Sequence, residues 1–305
     1  MQSMQSQWEK RATVRSRPRI ILDGEQTGHL FPLTHQPIAV HPAIIAKGEQ
    51  AQQYLLTQSL YLYAHDIASI ETRFVNKSLL TVTSQALPGH FTDAQQMDAY
   101  LIMTDEAYHA YVAFDMMAQV QQFTGITPLP MPANIQILLA LQNTLPLLSQ
   151  KLHATFHLIA VCIGENTLTE EIVALVKKTG CHPSIIKMFK DHLSDEARHS
   201  LYFQSLLTHL WQGLDAPSQQ QIGTVIPGFI QDYLSMTAAS QYFHAVLMEI
   251  GFDDQQVTQI LADSYEAHTL TATHPIIISI IKLLRQAGVM DSPAGDDFLQ
   301  RGWLT

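Results

Sequence analysis

Apolar and polar residues recur at helical spacing along most of the chain, and no stretch of strict two-residue alternation is long enough to predict a strand. The helical pattern holds from about Ala46 to Leu80 and breaks around Pro88-Gly89-His90. It resumes from about Ala94 to Phe123, with Thr92 or Asp93 placed to cap that helix. Pro128, Pro130 and Pro132 exclude a continuous helix between Thr124 and Ala133, because proline lacks the amide donor and clashes with the preceding turn. A short helix interrupted near Pro146 follows. Another long helix is predicted over about Leu148 to Thr179, ending near Gly180 with Lys177 and Lys178 complementing the negative end of its dipole. His182-Pro183-Ser184 opens the next, which runs to about Trp211. Beyond Gly213, helices are expected near 217–250, 253–268 and 274–287.

The predicted fold class is all-α. Two long hairpins, 46–123 and 148–212, are joined by a proline-rich crossover, a topology used by ferritin-like bundles. They form the core, 46–212, of a single helical domain spanning 46–290, with C-terminal helices over 213–290 covering one side. Pro18, Pro32, Pro37 and Pro42 predict an irregular N-terminal arm over 1–45, and 291–305 is left as a C-terminal tail.

Composition narrows the function classes. Of the 305 residues, 47% are apolar and 14% charged, which suits a globular chain with a large interior. The net charge of −10 argues against a nucleic-acid surface. With only Cys162 and Cys181, neither a disulfide framework nor a cysteine-rich zinc site is available, and a reduced cytoplasmic setting is expected. Lys10, Arg11, Arg15, Arg17 and Arg19 lack the apolar run of a secretory signal. The longest apolar stretch, Ile276 to Leu284, includes Lys282 and is about half the ~20 residues of a membrane span, so no membrane segment is expected.

The candidate chemistry lies in a pentad that occurs twice, Asp105-Glu106-Ala107-Tyr108-His109 and Asp195-Glu196-Ala197-Arg198-His199. Each contains a Glu-x-x-His, which puts a carboxylate and an imidazole one turn apart on one helix face. Two such helices, each partnered by a helix donating a further glutamate, build a carboxylate-bridged two-metal site. Glu71 and Glu165 stand on the partner helices, each in apolar surroundings where an uncompensated charge costs several kcal/mol. His192 falls with Glu196 and His199 at i, i+4 and i+7 on one stripe and offers a third imidazole. Asp105 and Asp195 are placed to accept hydrogen bonds from the far ring N–H of the ligand histidines.

Plainer readings stand beside these. Glu170 and Glu171 compete with Glu165 but look solvated at the helix end, and His192 alone could cap a helix or face solvent. His65, His153 and His157 are expected to be hydrogen-bonded helix histidines, and His268 and His274 to have no role in a pocket. Cys162 is read as a small buried apolar side chain. Tyr63, Tyr108 and Tyr202 are expected to pack near ligand-bearing turns.

With these spacings, the chain resembles the p-aminobenzoate N-oxygenase (AurF-like) family, whose ligand pattern is Glu, Glu-x-x-His, Glu, His-x-x-x-Glu-x-x-His. Here those positions are Glu71, Glu106 and His109, Glu165, and His192, Glu196 and His199. The resemblance covers about 46–212, and its specific part is the third histidine. It implies a non-haem di-iron oxygenase, with manganese as the other metal such a donor set accepts. Such an enzyme uses O2 to oxidise a small-molecule amine to a hydroxylamine, nitroso or nitro product, within natural-product biosynthesis and as a homodimer. No Gly-x-Gly-x-x-Gly fingerprint occurs, so an external reductase or small reductant is expected to supply electrons. An aromatic amino acid substrate calls for polar or cationic groups at its carboxylate. Tyr63 could offer a hydroxyl, but the only arginines of the C-terminal third, Arg285 and Arg301, have no evident place at a pocket. A different amine, aliphatic or tethered to a carrier protein, is therefore a second expectation. Other di-iron oxidases, such as a hydroxylase or desaturase, and a non-catalytic iron-binding protein are the alternatives.

Overall fold

A computed structural model describes residues 3–87, 91–177, 179–265 and 270–304. The break at Pro88-Gly89-His90, Lys178 and His268 lie outside the described residues. The chain opens with α1 (Met4–Arg11), whose N-terminus is capped by the Ser3 hydroxyl, and α2 (Thr13–Ser16). α3 (Pro42–Lys47) leads into α4 (Glu49–Ser69). α4 continues through a wider turn, Ile70–Val75, into α5 (Asn76–Thr83). In that turn the Asn76 N–H donates to the carbonyl of Glu71, five residues back instead of four. α6 (Asp93–Thr124) begins on a capping box made by Thr92 and Gln95 and stops at Gly125, whose φ of 71° suits glycine.

α7 (Gln136–Thr144) lies in the crossover, and α8 (His153–Val176) and α9 (Pro183–Gln212) form the second hairpin. α10 (Ala216–Tyr233), α11 (Thr237–Ile250), α12 (Asp254–Tyr265), α13 (Pro275–Ala287) and α14 (Pro293–Gln300) complete the fold. Among the described residues there is no strand; one isolated bridge joins His29 to Cys181. No described helix is long and apolar enough to cross a membrane.

Four differences from the sequence expectations have physical causes. The helix expected over 217–250 is broken at 234–236. There Gln136 of α7 donates to the Asp232 carbonyl (2.7 Å) and accepts from the Ala238 N–H (2.9 Å), satisfying groups at the end of α10 and the start of α11. The arm over 1–45 is not irregular throughout, because the Ser3 cap and the burial of Trp8 and Ala12 against Leu101 support α1. The tail over 291–305 is largely helical: Ser292 caps α14, and Phe298 and Trp303 stack in the core with ring centroids 5.6 Å apart. The C-terminal helices also do not cover one side only. α10, α13 and α14 pack on one apolar cluster, α11 and α12 on the other.

The interior positions the site. α4 and its wider turn pair with α6, α8 pairs with α9, and α6 meets α9 across the bundle. All four pass from one cluster to the other. One cluster takes Phe74, Ile102, Ile163 and Tyr202; the other takes Ile67, Ala113, Leu168 and Phe189. Glu71, Glu106, Glu165 and Glu196 fall between those pairs, at a polar waist. Leu158 to Glu165 are all buried, so α8 is enclosed on every side. Gly164 permits this closeness, since a Cβ there would lie 2.9 Å from Ile137 Cδ1 and 3.1 Å from Phe74 Cε1.

Candidate metal centre

Each pentad sits mid-helix, Glu106 and His109 on α6 and Glu196 and His199 on α9, with His192 one turn ahead. Glu165 is on α8 and Glu71 in the wider turn after α4. Ile67, Glu71 and Phe74 stand at i, i+4 and i+7, so helical spacing turns all three inward.

Ligand atoms of Glu71, His109, His192 and Glu196 all lie within 4.8 Å of one another, and so do those of Glu106, Glu165, Glu196 and His199. All seven residues expected from the sequence are thus brought together, with Glu196 in both groups. His109 and His199 present Nδ1 to the interior. His109 Nδ1 is 2.9 Å from Glu106 Oε2, and His199 Nδ1 is 2.9 Å from Glu106 Oε1 and 3.1 Å from Glu196 Oε1. His192 presents Nε2, 3.4 Å from Glu71 and 3.3 Å from Glu196.

The donor atoms crowd together without satisfying one another. Both carboxylate oxygens of Glu71 and of Glu165, Oε1 of Glu106, Oε2 of Glu196 and Nε2 of His192 are buried with no hydrogen bond. Leaving such groups unmade costs about 1–3 kcal/mol each. Two cations would satisfy all of them, and an oxygen-rich set with imidazoles suits iron or manganese. The residues therefore fit a two-metal group.

Without metal, the cluster stores protons. Burial pushes the Glu71 carboxyl up to about 8, with Glu106 adding to it, and raises Glu165 well above the carboxylate range. Burial opposes ionisation of Glu106 and Glu196 too, but the positive charge of His199 holds both low. His109 and His199 are raised well above an ordinary imidazole: burial opposes this, and is outweighed by Asp195 and Glu106 at His109 and by Glu106 and Glu196 at His199.

The two aspartates are exchanged between the pentads. His199 Nε2–H donates to Asp105 (3.1 Å), and His109 Nε2–H donates to Asp195 (3.1 Å). Arg198 bonds both aspartates. The N-terminal segment closes the network: Trp8 Nε1–H donates to Asp105 (2.9 Å), while the Thr13 hydroxyl and N–H donate to Asp195. Burial would raise Asp195, yet these donors, His109 foremost, hold it at about 2. Sequence reasoning missed Trp8, Thr13 and Arg198. Arg198 lay inside the second pentad; Trp8 and Thr13 carry no local signal, because only the tertiary fold delivers them.

The remaining candidates separate clearly. His65 contacts Asp66 (3.2 Å) and His153 the Leu148 carbonyl (3.2 Å), whereas His157 lies against Phe74, its Nε2 unbonded and its pKa lowered by burial to about 4. Cys162 is buried, its thiol raised well above the ordinary range by burial. Tyr202 donates to the Gln95 carbonyl (3.1 Å). Tyr63 and Tyr108, with His109 and His192, line a small cavity of about 30 Å3, room for roughly one small group. Tyr63 also lines a cavity of about 300 Å3, on whose wall Glu171 and His274 stand. Glu171 is exposed, as expected, whereas His274 belongs to a pocket wall, against the expectation.

A helical bundle with carboxylates and imidazoles gathered at its waist defines the chain as a ferritin-like protein with the donor set of a di-iron centre. Its sequence matches the family model "P-aminobenzoate N-oxygenase AurF" over residues 2–288, nearly its full length. The chain belongs to that family, which makes it an oxygenase of the class with a di-iron centre. No curated protein matches it.

Proposed function

We propose that Glu71, Glu106, His109, Glu165, His192, Glu196 and His199 hold two iron ions and that the protein oxidises the nitrogen of a small amine with O2. The observation that carries this reading is the third imidazole. His192 Nε2 is buried without a hydrogen bond and grouped with Glu71, His109 and Glu196, which fits the family's distinguishing position. The metals, when bound, supply the activation of O2. The overall step balances as R–NH2 + O2 + two electrons + two protons → R–NHOH + H2O. An N–O bond forms, the O–O bond breaks, and the second oxygen leaves as water. Further cycles give nitroso and nitro products. The electrons come from an external reductase or small reductant.

The chain's own residues prepare this chemistry. Asp105 and Asp195 hold the Nε2 protons of His199 and His109, which leaves each Nδ1 lone pair for a metal. The two apolar clusters on either side keep bulk water from the waist. The small cavity beside His109 and His192 admits the reacting nitrogen. The amine is a free or carrier-tethered metabolite of a natural-product pathway, a reading supported by family membership.

Anaerobic Fe(II) loading, metal analysis and mass spectrometry of products from a panel of aryl and aliphatic amines test this. One or two oxygens gained on nitrogen is the expected result. Oxygen gained on carbon, or a new carbon–carbon double bond, would replace the reading with a hydroxylase or desaturase. Ferric mineral forming without amine-dependent O2 consumption would indicate iron storage.

A further inference from the structure

The larger cavity differs from the site of an aminobenzoate binder in its charge. It measures about 300 Å3, within the size range of small-molecule sites, and lies against α4, α8 and the junction of α10 with α11. Tyr63 and Ile67 are shared with the small cavity that touches His109 and His192. Ile70, next to Glu71, and Thr167 and Leu168, just after Glu165, are also in its wall, so it adjoins the metal-ligand cluster on the Glu71–Glu165 side, with Tyr63 and Ile67 standing between it and the small cavity at His109 and His192.

Among the described residues no lysine or arginine lines this cavity, whereas two carboxylates do, Asp66 and Glu171. Asp66 shares the cavity face of α4 with Tyr63, Ile67 and Ile70, at spacings of three and four residues. It contacts His65 at 3.2 Å. Glu171 is exposed within the concave wall and forms no ion pair among the described residues. Between these carboxylates and the cluster stands the Tyr63 hydroxyl, buried and without a hydrogen-bond partner. It feels the negative charge of Glu171 and Asp66 on one side and of Glu71 and Glu196 on the other.

We propose that this cavity binds an amine bearing a second, cationic nitrogen, which Asp66 and Glu171 hold while the reacting nitrogen faces the ligand cluster past Tyr63. Geometry sets the span: Glu171 lies six residues beyond Glu165, and Asp66 five before Glu71, so the two ends are about 8 Å apart along the helix axes. Loss of hydration inside the concave wall pushes the Glu171 carboxyl up to about 7, with Asp66 adding to it, and a bound cation would relieve that repulsion. A carboxylate in the same place would meet two like charges, and the imidazoles of His35 and His274 are the only groups of the described wall able to carry a positive charge.

As to what is oxidised, the proposal rests on the N-oxygenase reading; as to what binds, it does not. Three probes of matched shape separate the two: 4-aminobenzylamine (cationic), 4-methylaniline (neutral) and 4-aminobenzoate (anionic). Their equilibrium binding is measured on the Fe(II)-loaded protein without oxygen, followed by product analysis after oxygen is admitted. The cationic probe should bind about tenfold or more tightly than the neutral one, and the anionic probe weakest. Glu171→Gln and, separately, Asp66→Asn should each shrink that preference severalfold while metal content and helicity stay unchanged. The proposal is overturned if 4-aminobenzoate binds as tightly as 4-aminobenzylamine, if the cationic probe does not bind, or if both variants keep the full preference. A retained preference with no oxygen transferred to nitrogen would instead remove the N-oxygenase reading and leave the cavity assignment standing.

Discussion

Asp105 accepts the Nε2–H of His199 across the bundle at 3.1 Å, although His109 of its own pentad is only four residues away. The reciprocal bond, His109 to Asp195, makes each pentad the support of the other. The doubled sequence is therefore one interlocked unit, in which orienting either histidine requires both helices.

Asp105→Asn should weaken metal binding about 10- to 100-fold, the usual effect of losing a carboxylate behind a ligand histidine, with helicity unchanged. Trp8→Phe, which removes one donor to Asp105, should move affinity in the same direction by a smaller factor. Chelator competition measures both. Wild-type affinity in Asp105→Asn would show that the cross-bundle bond orients nothing.

Glu196 belongs to both groups of donor atoms, whereas Glu165 belongs to one. Glu196→Ala should thus lose nearly all bound metal and all turnover, while Glu165→Ala keeps about one ion per chain. Metal analysis after gel filtration reads the ratio directly, and equal stoichiometry in the two variants would contradict the shared position of Glu196.

Arg198 is the one cation bonded to both buried aspartates among the described residues. Removing it leaves Asp105 and Asp195 wholly buried with less compensation, so Arg198→Ala should destabilise the protein by about 3–5 kcal/mol. Denaturant unfolding of the metal-free form checks this. Adding Asp105→Asn to Arg198→Ala should restore part of the loss.

Metal binding should release protons. Glu71, raised to about 8, and Glu165, His109 and His199, all raised, carry protons near neutrality that two cations must displace. Apparent affinity should therefore rise with pH through neutrality, by about tenfold per pH unit for each proton displaced, and level off at Glu71 above about pH 8. Stopped-flow loading with a pH indicator counts the protons; no release at pH 7 would show that the cluster is already ionised.

Much of this site was legible because helix periodicity is local. Glu106 and His109, or His192, Glu196 and His199, must share a face wherever a helix forms, and Glu71 and Glu165 stood out as charges in apolar runs. The cross-pairing of the aspartates was not legible, since both partners are available to either histidine until the helices are packed. Nor was the wider turn at Ile70–Val75, whose sequence contains no proline or glycine to mark it. Trp8 and Thr13 were hidden in a segment read as irregular. Glu171 was legible as a solvated residue near its helix end, but the wall around it was not, because it comes from distant parts of the chain.

The N-terminal closure has a consequence for how the fold is completed. Trp8 lies 97 residues from Asp105 along the chain, and Thr13 lies 182 from Asp195. Contacts of such separation cost loop-closure entropy before they are rewarded, and their partners are in place only once the two pentad helices have packed. Trp8 and Thr13 thus act as a clasp, fastened onto a frame that the four helices have already built.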